Sequence, residues 1–216
     1  MNHFHCDVSR ADDVTQAAGA VAAFLEREVP VGRILLINNS GFGAYGHFPE
    51  PNLAHQLEML DVNIRGLVQL TGLLLPLLRR RGGAIINVAS TAAFQPTAYL
   101  AAYGASKAFV LHYSLALNEE LRGSGVSTLA VCPGPTATEF FQRAGLGKGS
   151  VAETLSMSAD EVVLAALRAL GAGRSVVVTG WKNKLAAFFA SKLPKAVAAR
   201  VAAMVLERYR LKQVQR

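Results

Sequence analysis

Short runs of apolar residues alternate along this chain with longer stretches whose apolar positions return every three or four residues. The runs are residues 3–8, Ile34-Leu35-Leu36-Ile37, Ala84-Ile85-Ile86-Asn87-Val88, residues 126–131 and Val176-Val177-Val178, and each reads as a strand. Between them lie helical patterns. Residues 10–28 place Val14, Ala17, Ala18, Val21, Phe24 and Leu25 at helical spacing behind Ser9, a candidate cap. Residues 53–80 form a long helix, perturbed at Pro76. Residues 98–121 and 159–170 form two more, separated by a looser segment to about residue 157 that holds Gly145, Gly147 and Gly149. The tail from Trp181 is helical with a break near Pro194. Strands apolar on both faces and alternating with helices predict an α/β fold, a parallel sheet covered on both sides in three αβα layers. Without a repeat or a low-complexity linker, residues 1–216 read as one domain. Ligands of such sheets bind beyond the carboxyl ends of the strands, and Asp7, Asn38, Ser90 and Pro133-Gly134 all fall there.

Composition adds a large core and a lopsided charge. Hydrophobic residues make up 51% of the chain and mean hydropathy is +0.28, which argues against disorder. Cys6 and Cys132 form no CxxC pair and read as ordinary thiols of a reducing compartment. The N-terminus lacks a basic segment followed by an apolar one, and no apolar run reaches about 18 residues, so a cytoplasmic protein is expected. The net charge is +7, yet residues 182–216 hold nine Lys/Arg against Glu207 alone, a local +8, while the remainder nets −1.

The candidate chemistry lies in Tyr103-Gly104-Ala105-Ser106-Lys107, with Ser90 thirteen residues upstream. Residues four apart share a helix face, so the Lys107 ammonium can approach the Tyr103 phenol. A phenol ionises at about pH 10, and a nearby cation favours the phenolate. Tuned in this way it can give or take a proton near neutrality. Ser90 can aim a hydroxyl at the same substrate oxygen. In isolation, Tyr103 and Lys107 would be a surface pair of a helix.

Tyr103-x-x-x-Lys107, Ser90 before it, Asn63 in Asp61-Val62-Asn63, Asn38-Asn39-Ser40-Gly41, Asp7-Val8, and Pro133-Gly134 followed by Thr136 and Thr138 stand in one order along the chain. In these elements the sequence resembles the short-chain dehydrogenase/reductase family from Asp7 to about Val178, with Ser40 where the family usually has alanine. The resemblance implies a Rossmann-type doubly wound sheet and an NAD- or NADP-dependent oxidoreductase, tilting towards NADP, that interconverts a ketone and a secondary alcohol. Tyr103 would be the general acid in reduction and the base in oxidation. Lys107 would lower the Tyr103 pKa and hold the nicotinamide ribose. Ser90 would polarise the carbonyl, and Asn63 would hold a water in the proton path. Asp7 and Val8 would lie at the adenine, and Asn38, Pro133, Gly134, Thr136 and Thr138 would also line the cofactor. A small, apolar carbonyl or alcohol substrate and a homo-oligomer complete the expectation, with Phe94, Phe140 and Phe141 as candidate lining.

The family opens with a strand, a glycine-rich turn and a helix that seats the pyrophosphate. This chain begins at what would be the third strand, about 30 or more residues later. Gly41-Phe42-Gly43-Ala44-Tyr45-Gly46 satisfies GxGxxG after a strand. Pro49 and Pro51 separate it from the next helix, however, and Asp61 lies inside a helix, so it reads as a flexible loop flanking the site. The expected consequences are an unpaired apolar edge at Ile34–Ile37, a residue 3–8 strand without its neighbour, poor NAD(P)H binding and little turnover. A wrongly chosen start codon is the favoured explanation, ahead of a degenerate protein or a shortened one. The competing function is a non-catalytic binding or scaffold protein of the same ancestry.

Other features weigh less. His3 and His5 share one strand face and Cys6 the other, a poor metal site, so no metal is expected. Ser90 lacks a GxSxG elbow. Arg79-Arg80-Arg81 closes a helix, where cations suit the dipole, and without clustered aromatics it predicts no nucleic-acid partner. In the tail, Leu185, Phe188, Phe189, Leu193, Val197, Val201, Met204, Val205 and Leu206 interleave with Lys192, Lys195, Arg200, Arg208, Arg210 and Lys212. Such a basic amphipathic segment, residues 181–216, can pack on its own domain or lie on an anionic membrane.

Overall fold

In a computed structural model of the chain, residues 2–140, 144 and 156–214 are described, residues 208–214 by backbone alone. The expected looser segment falls mostly outside the described residues. Helix α1 (Ala11–Glu28) leads to strand β1 (Ile34–Asn38). Helix α2 (Leu53–Leu60) runs through a π turn (Asp61–Gly66) into α3 (Leu67–Arg81), followed by β2 (Gly83–Val88). A 3₁₀ turn (Thr91–Phe94) precedes α4 (Ala101–Glu120) and β3 (Val126–Cys132). Then come α5 (Ala159–Gly171), β4 (Val176–Val178), α6 (Trp181–Lys192) and α7 (Lys195–Val214).

The four strands form one parallel sheet in the order β1-β2-β3-β4. Parallel neighbours need crossovers, and the helices supply them. The pleat then divides consecutive residues between two cores. Ile85 of β2 joins Ala18, Leu74, Leu78 and Leu117 from α1, α3 and α4, and Leu121 just beyond α4. Its neighbour Ile86 joins Leu129, Val131 and Val177 under Ala166 and Ala169 of α5. This gives the expected three-layer αβα, Rossmann-like architecture. The two layers are unequal, however. On β1, Ile34 and Leu36 pack inward beneath α3, whereas Leu35 and Ile37 are 44% and 52% exposed. Among the described strands, β1 is an edge with only β2 beside it, as the sequence predicts.

Four expectations need correction. Residues 3–8 form no strand; with no neighbour in register, their backbone has no ladder to join. They lie instead against the helical layer, with Phe4 edge-on to Phe24 at 5.9 Å and Arg65 bonded to the Ser9 carbonyl. Ser9 does not cap α1: the residue preceding the helix is Arg10, and the Ser9 hydroxyl donates to Asp7 at 2.7 Å. The helical stretch over residues 53–80 departs from α geometry not at Pro76, which sits inside α3, but at the π turn. There Gly66 lies against the backbone and side chain of Val8, so a Cβ has no room. Such π turns gather at functional sites, and this one presents Asn63. Helix α4 also begins later than expected, after Tyr99 with φ of 62°. Among the described residues no helix is long and apolar enough to cross a membrane.

Candidate active site

The site forms where the sheet's carboxyl ends meet the first two turns of α4. Beyond β2 and β3 the ladder continues irregularly, with Ala89 N donating to Val131 O at 2.8 Å and Thr91 N to Pro133 O at 2.9 Å. Ser90 is fixed between these two bonds. Its hydroxyl also accepts from Ala92 N at 3.1 Å, capping the 3₁₀ turn. Helix α4 lays Tyr103 and Lys107 against this exit, both nearly buried at 7% and 5% exposure. The Lys107 ammonium donates to the Val88 carbonyl at 2.9 Å and stands 5.8 Å from the Tyr103 ring centroid. Ser90, Tyr103, Lys107, Pro133, Gly134 and Thr136 line one cavity of about 800 Å³, and Thr138 lines it as well.

Asn63 works behind this wall. Its amide donates to Phe42 O and to Ser106 Oγ, both at 3.0 Å, and its carbonyl oxygen accepts from Phe42 N at 3.2 Å. Ser106 in turn donates to Tyr103 O at 2.7 Å. The buried amide thereby ties the loop after β1 to the helix that carries Tyr103. The loop runs so close that a Cβ on Gly41 would lie 2.9 Å from Asn63 Oδ1 and 3.2 Å from Lys107 Nζ. The GxGxxG segment thus flanks the site, and its first glycine serves close approach. Its next helix, α2, starts only at Leu53 behind Asn52, so the turn leads into no helix N-terminus.

Asn38 turns away from the cavity: its amide donates to Thr71 at 3.0 Å and to Asn87 at 2.8 Å, and Asn87 donates to Ser114 at 2.9 Å. This buried ladder clamps β1 to β2 and α3. Asp7 is exposed and spends its carboxylate on Ser9, while Val8 packs at Gly66; neither reaches the cavity. Phe140 lines it, 5.3 Å from the Tyr103 ring. Phe94 packs in the core, and Phe141 is outside the described residues.

Burial governs the electrostatics. It pushes the Tyr103 phenol up to about 12, with the Ser90 hydroxyl pulling the other way. It brings the Lys107 ammonium down to about 8, partly offset by Cys132. In this arrangement Lys107 points at the Val88 carbonyl, and desolvation outweighs any lowering of the phenol's pKa. The phenol therefore holds its proton at neutral pH and can donate it. Burial likewise pushes the Cys132 thiol up to about 12, against the Ser90 backbone amide and Lys107. The sequence assigns neither Cys132 nor Ser106 a place at the site. Ser106 stood inside the Tyr103–Lys107 motif, at helical spacing from Tyr103, and its partner Asn63 was the available clue. Asn183, which also lines the cavity, carried no such signal.

One end of a nicotinamide cofactor suits these residues. Lys107 is a buried cation with three donors, one of them spent on Val88, leaving others for the hydroxyls of a ribose. The backbone of Pro133-Gly134 borders the same cavity. For the pyrophosphate end, no strand among the described residues runs through a glycine-rich turn directly into a helix.

A serine 3-dehydrogenase of Agrobacterium fabrum is 37% identical over 131 residues, 60% of this chain and 51% of the relative. A ketoacyl reductase of Nostoc is 37% identical over 124 residues, 56% of this chain and 43% of its own. The chain thus spans about half the length of these curated relatives. A solved short-chain dehydrogenase from Sphingobium yanoikuyae in complex with NADPH is 34% identical, with a TM-score of 0.69 over 81% of this chain and 66% of that one. One from Burkholderia cenocepacia in complex with NADP is 27% identical, with a TM-score of 0.74 over 91% and 76%. Residues 1–149 match the description of the short chain dehydrogenases, and the chain belongs to that family.

Proposed function

We propose that this chain carries the proton-transfer centre of an NAD- or NADP-dependent oxidoreductase that interconverts a ketone and a secondary alcohol. The observation that carries the reading is the buried cluster of Ser90, Tyr103 and Lys107 opening on one cavity. The names of the relatives, a dehydrogenase of a hydroxyl compound and a ketoacyl reductase, and the NADP and NADPH of the solved neighbours support the same chemistry.

A nicotinamide bound beside Pro133 and Gly134 supplies or accepts the hydride. The chain's own residues manage the oxygen. In reduction, Tyr103 gives its phenolic proton to the carbonyl oxygen while Ser90 donates a hydrogen bond to it, so the product leaves as an alcohol and the phenolate remains. The Lys107 charge favours that phenolate once it forms and holds the ribose. In oxidation the proton returns to Tyr103. Asn63 holds Tyr103 and the loop after β1 in register, and a water in the proton path is assigned to its neighbourhood. Alanines and valines of α6 and α7 wall the cavity, which suits a small apolar substrate. Self-association, for which the open β1 edge is one motif, completes the reading.

A second reading, a non-catalytic binding protein of the same family, rests on the missing glycine-rich seat for the pyrophosphate among the described residues. Assays of NADH and NADPH consumption with a panel of apolar ketones separate the two. Consumption that disappears in Tyr103→Phe supports the enzyme. Ketone binding without any consumption supports the binding protein.

A further inference from the structure

Helix α6 is apolar on two opposite faces, and only one of them is covered. Asn183, Ala187 and Ala190, three or four residues apart, face inward and line the cavity. Trp181, Leu185 and Phe188, at the same spacing on the other side, are 71%, 51% and 56% exposed, with Phe189 beside them at 57%. A second, exposed apolar stripe implies an apolar surround of its own. The flanks of the outer stripe name it. Lys182 and Lys184 border it on either side and Lys192 continues it; Lys182 Nζ lies 5.7 Å from the Trp181 ring centroid and Lys192 Nζ 5.8 Å from that of Phe188. Aromatic rings with lysine stems folded along them are the arrangement of a helix lying at a lipid headgroup boundary. On helix α7, Val197, Arg200 and Met204 are exposed while Ala198 is buried.

We propose that the outer face of α6, extended by α7, seats this protein on an anionic phospholipid bilayer. Charge selects that occupant over a second copy. Residues 182–206 carry five basic side chains and no acidic one, whereas the rest of the chain outside the tail nets −1. An isologous contact would set these lysines against their own copies, and the rest of the chain outside the tail, at −1, carries little net charge to meet five cations. Phosphates of an anionic leaflet meet them. The packing and membrane alternatives open in the sequence are then both realised, on opposite faces of one helix. The inner face walls the substrate cavity, and the outer face meets the surface in which apolar substrates dissolve.

Trp181 is the sole tryptophan of the chain and reports directly. The test adds phosphatidylcholine vesicles, with and without phosphatidylglycerol, to the full chain, following Trp181 emission and vesicle flotation. The expected result is a blue shift and flotation with anionic vesicles only. Replacing Lys182, Lys184 and Lys192 by glutamine should weaken that binding about a hundredfold, with far-UV circular dichroism unchanged. Phe188→Ser should lower the shift while retaining part of the anionic preference. Leu35→Lys, on the open face of β1, should leave flotation as it was. Equal binding to neutral vesicles, loss of binding in Leu35→Lys, or a blue shift that follows protein concentration without lipid would each overturn the proposal, the last in favour of a second copy.

Discussion

The two faces of the sheet differ in what they finish. Beneath α3 and α4 every strand from β1 to β3 is covered, the Asn38–Asn87–Ser114 ladder is closed, and Tyr103 and Lys107 are held by bonds that start on that same side. On the other face α5 covers β3 and β4, and the core reaches Ile86 but leaves Leu35 and Ile37 of β1 in solvent. Tyr103 and Lys107 thus belong to the completed layer, and the open layer is where apolar side chains of β1 remain uncovered. The cavity lined by Ser90, Tyr103, Lys107, Pro133 and Gly134 opens at the ends of β2 and β3, away from the uncovered face of β1.

The comparison is broken most severely at Tyr103. Tyr103→Phe should lower any ketone reduction by about a hundredfold to ten-thousandfold while leaving the thermal midpoint nearly unchanged, read by cofactor consumption alongside circular dichroism. Equal turnover in the variant would remove the completed layer's claim to the chemistry. Next comes packing: Ile85→Ala should cost about 2–4 kcal/mol in urea unfolding, whereas Ile37→Ala, half exposed, should cost less than about 1 kcal/mol. Similar costs at both positions would mean that β1 is covered in solution.

A third effect concerns Lys107. Its folded pKa of about 8 lies below the ordinary 10.5, so between these values the unfolded chain binds the extra proton. Stability therefore rises with pH across that window, with a slope of at most about 1.4 kcal/mol for each pH unit crossed. Below about 8 both states are charged, and the buried cation costs most. Lys107→Met lacks this titration, so the stability gap should move in favour of the native chain as pH climbs from about 8 towards 10. Tyr103, raised to about 12, adds the opposite slope only above its ordinary value of about 10. The smallest effect is expected from Leu35→Lys: a stability change within about 0.5 kcal/mol, with reduced self-association in sedimentation velocity because a charge now guards the edge.

Much of this was legible in order and spacing. Consecutive apolar residues gave β2 and β3, helical spacing placed Tyr103 and Lys107 on one face, and the break at Pro194 separated α6 from α7. What failed did so for tertiary reasons. Residues 3–8 have the composition of a strand, but a strand exists only against a neighbour. The π turn at Asn63 cannot be seen in a periodic pattern; it follows from Gly66 meeting Val8 and from the loop that Asn63 holds. The buried ladder of Asn38 is likewise invisible in its motif, since its amide comes within reach of Thr71 and Asn87 only after the sheet closes.

By itself the sequence determined the family and the parallel α/β layers, and it singled out Ser90, Tyr103 and Lys107 as a candidate set, because those are written in local spacing and short motifs. Only the tertiary structure decided that burial would hold the Tyr103 phenol protonated, that Asn63 and Ser106 would brace it, and that α6 would be apolar on two sides with one left uncovered. Each of these depends on which surfaces water can reach, and that is settled by packing between distant segments.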